Sequence, residues 1–399
     1  MQSPRSGPET ISLGCRLNIA ESETIRGLLG RHDAVVVNSC AVTAEAVRRS
    51  RREVARARAR RPGAPIYVTG CAATIDPEGF AQLPGVARVV PNADKLVPTA
   101  WGVPDAAPPA RFSGHARAFL PIQTGCDHSC TFCIIPAGRG PSRSLPAGGV
   151  IDAARALVDA GHREVVLTGV DLTSYGADLP GSPTLGGLVQ RLLTHVPGLQ
   201  RLRLSSLDSI EIDDALFELL AGEARVMPHI HLSLQAGDDL VLKRMKRRHA
   251  RADAVRIVER LKTARGDIAI GADLIAGFPT EDATMATNTL ALIDDCDIVF
   301  GHIFPYSPRP GTPAARMPQV DGPTIRARAA ALREATARRR AVWLAGLVGS
   351  TQQVLVERPG DTGHAGNFAT VRVPPEPAGS ILTVQITAAT GDHLIGSPA

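Results

Sequence analysis

Long apolar runs are missing from this 399-residue chain. No uncharged apolar stretch approaches the roughly 18 to 20 residues that a bilayer-spanning helix needs, and the first twenty residues lack the apolar core that opens a secreted precursor. These absences point to a cytoplasmic protein with no membrane partner. Cysteine is too sparse and too odd in number for a disulfide framework. The seven at positions 15, 40, 71, 126, 130, 133 and 296 suit metal ligands or reactive thiols, six as ligands and one as a bystander. Lysine is scarce too. The net charge of +5 and the pI near 9.0 rest almost wholly on arginine, whose planar fork suits bidentate phosphate contacts and hence a polyanionic partner. These cations gather at residues 48–61, 243–248 and 326–340, and each run reads equally well as a solvated helix face. Aromatic residues make up only 4% of the chain, and Phe368 alone falls in the last fifty residues. Base stacking on several platforms is therefore not supported there.

Against these absences stands one dense cysteine motif, Gly125-Cys-Asp-His-Ser-Cys-Thr-Phe-Cys-Ile-Ile-Pro136. A 4Fe-4S cube has four irons to ligate, so three thiolates from one short loop leave the fourth iron open to a small molecule. The same logic separates catalytic from structural zinc sites. Cys126, Cys130 and Cys133 are thus candidate cluster ligands at a reaction site. Zinc is the alternative, but structural zinc wants two ligand pairs and no second C-x2-C follows. His128 would have to close a tetrahedron inside the same tight loop.

Upstream, short apolar runs alternate with helical patterns, which predicts a small Rossmann-like parallel sheet with strands at Thr10 to Gly14, Ala34 to Asn38 and Ile66 to Thr69. Each run leads into a cysteine: Cys15, Cys40 or Cys71. Loops at the carboxyl ends of parallel strands share one sheet edge, so the three are expected to converge as ligands of a second cluster. The alternative is three small hydrophobes buried in a core. Cys296 has no cysteine neighbour and reads as structural.

Residues 98–117 are rich in Pro, Ala and Gly and read as a linker after a domain spanning 1–97. Over 118–347, six strand candidates alternate with helices, at Ala118 to Gln123, Glu164 to Thr168, Arg201 to Leu204, Ile230 to Leu234, Ile268 to Leu274 and Ile298 to Phe304. This predicts a partial (β/α)6 barrel with a trailing helix. Such barrels keep their chemistry at the carboxyl ends of the strands. Gly169, Asp171, Ser205, Gln235 and Asp273 are therefore candidate cofactor-binding residues, and Asp273 in an apolar run needs a partner. For each, a plain turn or helix cap is the alternative. From 348 to 399 alternating residues predict short antiparallel strands and a small all-β barrel of the kind found in RNA-binding modules.

The C-x3-C-x2-C loop after a first barrel strand resembles the radical S-adenosylmethionine superfamily. Ser12-Leu-Gly-Cys-Arg-Leu-Asn18, Val37-Asn-Ser-Cys-Ala-Val-Thr43 and Thr69-Gly-Cys71 narrow the resemblance to the methylthiotransferases. Leu167-Thr-Gly-Val170, Leu204-Ser-Ser206, His231-Leu-Ser-Leu-Gln235 and Phe304-Pro-Tyr-Ser-Pro-Arg-Pro-Gly-Thr-Pro-Ala-Ala315 are most similar to the branch acting on N6-threonylcarbamoyladenosine beside the tRNA anticodon. The resemblance implies two 4Fe-4S clusters, S-adenosyl-L-methionine as radical source and methyl donor, and a sulfur-carrying role for the cluster on Cys15, Cys40 and Cys71. It also implies a tRNA substrate, a TRAM-like carboxyl-terminal barrel that binds it, a sulfur donor, and an electron donor such as a flavodoxin or ferredoxin. Where the family usually has an aromatic after the Ile-Ile-Pro step this chain has Ala137-Gly138 before Arg139, and after Asn18 it has Ile19 where a polar residue is common. Sister branches act on isopentenyladenosine in tRNA or on a ribosomal-protein aspartate. An iron-sulfur RNA-binding protein without catalysis is the rival from another class.

Overall fold

Val35, Val36 and Val37 form a run with no polar face, and its strand, Val35–Ser39, is covered on both sides. Val35 and Val37 pack with Val54 and Ala57 of the helix Ala44–Arg60, whereas Val36 packs with Ile25 and Leu29 of the helix Arg16–Leu29. Glu9–Ser12, Val35–Ser39, Ile66–Gly70 and Val86–Val89 pair in chain order, all parallel. The first three match the expected strands. The fourth was not anticipated, because its four residues are half-buried or exposed and carry no clear pattern.

A computed structural model describes residues 7–103 and 115–399. Most of the expected linker lies outside them, at 104–114. Ahead of it, Pro98–Trp101 makes one 3-10 turn whose Trp101 is buried edge-on against Tyr67. The described residues divide into two compact units: 7–103 with Gln123–Arg143 and Ser307–Thr312, and 115–122 with Ser144–Tyr306 and Pro313–Ala399. Both cysteine triads fall in the first.

In the second unit Arg117–Pro121, Glu164–Thr168 and Arg201–Leu204 form one parallel arc, and Ser206–Leu207, His229–Gln235, Ala269–Ala276 and Ile298–Pro305 another. Only Ser205 separates Leu204 from Ser206, so one strand serves both arcs and six strands curve into the expected partial barrel. Packing decides the crossover helices. Leu185–His195 carries Gly186 and Gly187, each worth about 1 kcal/mol against a helix. It buries Leu185, Leu188, Val189, Leu192 and Leu193, each contributing about 1.5–3 kcal/mol, so burial wins.

The last strands, Thr351–Glu357, Thr362–Ala365, Thr370–Arg372, Ile381–Ala389 and Leu394–Pro398, close into a five-stranded barrel around Val354, Val356, Val371, Val384, Ile386 and Leu394. Leu344 of the long helix Gly322–Gly346 enters that core. Charged side chains at the amino ends of the larger barrel's strands hold the small one. Arg201 Nη2 donates to Gln353 O at 2.6 Å, Arg203 Nη1 donates to Gly366 O at 3.1 Å, and Arg117 pairs with Glu357 at 2.8 Å. Phe368, the small barrel's aromatic, lies 4.6 Å from the His364 ring and 4.8 Å from the Arg203 guanidinium. It packs within the chain.

Candidate metal centres

Cys126, Cys130 and Cys133 sit on a loop that the chain closes on itself. Gln123 Nε2 donates to Gly125 O and Ser142 Oγ, both at 2.9 Å, Cys126 N–H donates to Gly140 O at 3.2 Å, and Ser142 N–H donates to Asp127 Oδ1 at 3.0 Å. Cys133 N–H donates to Cys130 O at 3.2 Å, closing a turn between the second and third cysteines. Ile135 N–H points at Cys133 Sγ, 3.4 Å away. All three cysteines are half-buried.

Directly after this loop the short helix Ile135–Arg139 docks on the second triad. Gly138 has no side chain where one would meet Cys71: an added Cβ would lie 3.0 Å from Cys71 Cβ. Asn92 Nδ2 bridges the two, donating to Gly138 O at 2.5 Å and reaching Cys71 Sγ at 3.6 Å. Cys15 stands at the N-cap of the helix Arg16–Leu29. Cys40 follows Val35–Ser39, and Cys71 opens the helix Cys71–Ile75. Burial pushes the Cys40 thiol up to about 11, and the neighbouring Cys15 and Cys71 push it the same way. Three thiols from three strand ends therefore share one neighbourhood, as expected from the sheet edge.

Its cations were not anticipated. Arg139, Glu21 and Lys95 form a buried triad: Arg139 Nη1 donates to Glu21 Oε1 at 2.8 Å and Lys95 Nζ to Glu21 Oε2 at 2.5 Å, while Arg139 Nη2 donates to Asn18 Oδ1 at 2.6 Å. Burial alone would raise the Glu21 carboxyl, but Lys95 and Arg139 outweigh it and hold it below the usual carboxylate range. Two cations on one carboxylate leave an excess positive charge facing the thiols. Soft sulfur donors, nearby cations and a glycine at the closest approach are compatible with an iron-sulfur cluster, while Cys40 and Cys71 also pack in an apolar cluster with Leu13, Val35, Val37, Ala41 and Ala72. Gly14 makes a second close approach. It holds φ +91, and a Cβ there would lie 2.7 Å from Cys40 Sγ. On the two-cluster expectation, Gly14→Ala should crowd Cys40 and lower anaerobically measured iron from about eight to about four per chain; retention of full iron would contradict this packing.

The barrel candidates are placed individually. Gly169 follows Glu164–Thr168, and Asp171 starts the 3-10 turn Leu172–Ser174, accepting from Ser174 Oγ at 2.7 Å. Ser205 lies at the break between the two arcs, its Oγ buried without a partner among the described residues. Gln235 ends its strand at φ 68. Asp273 has the partner its burial demands: His231 Nε2 at 2.9 Å and His302 Nδ1 at 3.2 Å share its Oδ1. Burial pushes the Asp273 carboxyl up, but these bonds prevail and hold it well below the ordinary carboxylate range. Cys296 is fully buried at the end of Ala283–Asp295, its thiol pushed up to about 12 by burial.

Much of the arginine charge is answered locally. Arg48 and Arg52 share Glu45, Arg51 pairs with Asp76, Arg247 with Asp208, and Arg338 with Glu334. The exposed pairs of Arg48, Arg51, Arg52 and Arg338 favour the solvated-face reading for their runs, whereas the Arg247–Asp208 pair is buried. Among the described residues no helix is long and apolar enough to cross a membrane.

Residues 120–293 match the Radical SAM superfamily, and residues 9–91 match the uncharacterized protein family UPF0004. The chain is 43% identical to the threonylcarbamoyladenosine tRNA methylthiotransferase MtaB of Rickettsia prowazekii, over 92% of this chain and 91% of that protein. It is 34% identical to the tRNA-2-methylthio-N(6)-dimethylallyladenosine synthase of Erythrobacter litoralis, over 92% and 90%. Among solved structures, the radical S-adenosylmethionine methyltransferase TsrM of Kitasatospora setae shares the fold with a TM-score of 0.53 at 18% identity, over 71% of this chain and 64% of that one.

Proposed function

Since this chain belongs to the radical SAM methylthiotransferase family, whose members work with a 4Fe-4S cluster and S-adenosylmethionine, we propose that it methylthiolates C2 of N6-threonylcarbamoyladenosine beside the tRNA anticodon. The observation that carries the substrate is the 43% identity to the Rickettsia prowazekii enzyme across nine-tenths of both chains, against 34% for the dimethylallyladenosine enzyme. When bound, two clusters and S-adenosylmethionine supply the radical, the sulfur and the methyl group.

The chain's own residues divide that work. Cys126, Cys130 and Cys133 hold one cluster with an open position, on a loop braced by Gln123, Asp127 and Gly140. Cys15, Cys40 and Cys71 hold the second, with Arg139 and Lys95 balancing thiolate charge. Gly169, Asp171, Ser205, Gln235 and Asp273 line the S-adenosylmethionine pocket at the barrel strands, with Ser205 Oγ available for a ligand. The domains are 1–97 for the second cluster, 118–347 for the radical chemistry and 348–399 for tRNA. The reaction takes place in the cytoplasm, fed by a flavodoxin or ferredoxin and by a sulfur donor.

Mass analysis of tRNA nucleosides from a deletion strain tests the substrate. Loss of 2-methylthio-N6-threonylcarbamoyladenosine is expected; loss of the isopentenyl counterpart alone would reassign the enzyme. Deleting residues 351–399 is a poor test of tRNA binding, because it would strip Arg201 and Arg203 of their carbonyl partners. Exposed Arg358 and Arg372 offer a cleaner one. The double change Arg358→Glu, Arg372→Glu is expected to weaken tRNA binding and to reduce the salt dependence by about two phosphate contacts, read as the slope of log affinity against log salt. An unchanged slope would remove the small barrel from the interface.

A further inference from the structure

His231, Asp273 and His302 stand on three neighbouring parallel strands, His229–Gln235, Ala269–Ala276 and Ile298–Pro305. Asp273 is the register partner of His302, and His231 pairs with Gly271, two residues before Asp273 and therefore on the same face of the sheet. Gly301 faces the helix Gly322–Gly346, where an added Cβ would meet Thr336 Oγ1 at 2.6 Å, so His302 points the other way, into the barrel. Gly271 makes the room. A Cβ there would lie 2.5 Å from His231 Nδ1, so the ring occupies the space of the missing side chain. Ile298–Pro305 ends its arc, with a strand on one side only, and the His302 side chain is 59% exposed where that of His231 is 7% exposed.

Two ring nitrogens converge on one oxygen. His231 Nε2 lies 2.9 Å and His302 Nδ1 3.2 Å from Asp273 Oδ1, and the three donor atoms all fall within 4.8 Å of one another. No lysine or arginine pairs with Asp273 among the described residues. Carboxylates taken out of water are paired with a cation or coordinate a metal. As hydrogen bonds alone, the arrangement requires both imidazoles to bring an N–H to a single oxygen, one through Nε2 and the other through Nδ1. A divalent cation asks instead for one lone pair from each ring. The two separations suit it, because ligands about 2.0–2.2 Å from a zinc-sized ion, at tetrahedral or octahedral angles, lie roughly 2.8–3.5 Å apart. Two imidazoles and one carboxylate favour a first-row transition ion over magnesium or calcium, which take oxygen shells.

We propose that His231, Asp273 and His302 form a binding site for one divalent transition-metal ion of the zinc type, built without a cysteine. Three protein ligands leave a coordination position open, and the exposure of His302 gives that position access to water or to a polar group of a bound molecule. The site goes beyond the methylthiotransferase reading, and it gives Asp273, placed above in the cofactor pocket, a ligand of its own.

The test uses the full chain, purified anaerobically with its iron in place and titrated with zinc chloride against a fluorescent zinc chelator. X-ray absorption at the zinc edge then reads the shell of the retained ion. One zinc per chain is expected, surrounded by nitrogen and oxygen at about 2.0–2.2 Å. His302→Ala, at an exposed position where the fold is least at risk, and Asp273→Asn, which keeps the side chain's size, are each expected to weaken zinc binding at least about tenfold, since loss of even an outer partner of a metal ligand costs that much. No zinc retained by the parent would overturn the proposal and leave a hydrogen-bonded triad. Sulfur in the shell at about 2.3 Å would overturn it by placing the zinc on the cysteines, and so would equal affinity in both variants. None of these readouts involves methylthiolation, so the two readings stand or fall separately.

Discussion

Cys40→Ala protein is expected to go on releasing 5′-deoxyadenosine from S-adenosylmethionine while methylthiolated nucleoside falls below detection. Cys130→Ala is expected to do neither. The contrast follows from ligand count. On the proposed reading each triad supplies three thiolates to one cluster, so losing one leaves too few to hold it. Cys40 ends the strand Val35–Ser39 in the amino-terminal sheet, whereas Cys130 lies in a loop closed by its own hydrogen bonds to Gln123, Asp127 and Gly140. Nothing in that closure passes through Cys40. Paired assays of 5′-deoxyadenosine and modified nucleoside under anaerobic reduction read both outcomes. Methylthiolated product from the Cys40 variant would end the sulfur-carrying role of the second centre, and loss of cleavage in it would show that the two centres do not stand independently.

Glu21→Gln carries the second large effect. Among the described residues Glu21 is the carboxylate that both Arg139 and Lys95 meet, and all three side chains are almost fully buried. Removing its charge leaves two buried cations facing an amide, a change that costs about 3–5 kcal/mol. The folding free energy of the amino-terminal unit is expected to fall by that amount at neutral pH, read from denaturant unfolding of the anaerobic protein. The pH dependence has a fixed sign. The folded carboxyl sits below its ordinary value, so its stabilisation is fully present above the usual carboxylate range and fades as pH falls through the folded value. Parent and variant are therefore expected to differ most at neutral pH and to converge in acid. A difference that persisted in acid would assign the loss to packing.

Local patterns carried the sites that were legible beforehand. Three apolar runs, each ending in a cysteine, announce a sheet edge, and the C-x3-C-x2-C spacing announces its own loop. The structure places both triads in one compact unit. Asp273 was legible as a buried charge wanting a partner, though not that His231 and His302 from the flanking strands would both supply it. What escaped depends on contacts across long stretches of chain. Arg139 and Glu21 are 118 residues apart, and neither is marked by periodicity. The arginine runs were ambiguous for a related reason: composition counts cations, whereas the fold decides which of them meet a carboxylate.

Anaerobic counting of iron and acid-labile sulfide, on the parent and on protein with Cys15, Cys40 and Cys71 all changed to Ala, bears most directly on the two-centre account. About eight irons and eight sulfides per chain are expected in the parent and about four of each in the variant. About four of each in both proteins would contradict it, leaving the amino-terminal thiols without a cluster and the sulfur without a carrier.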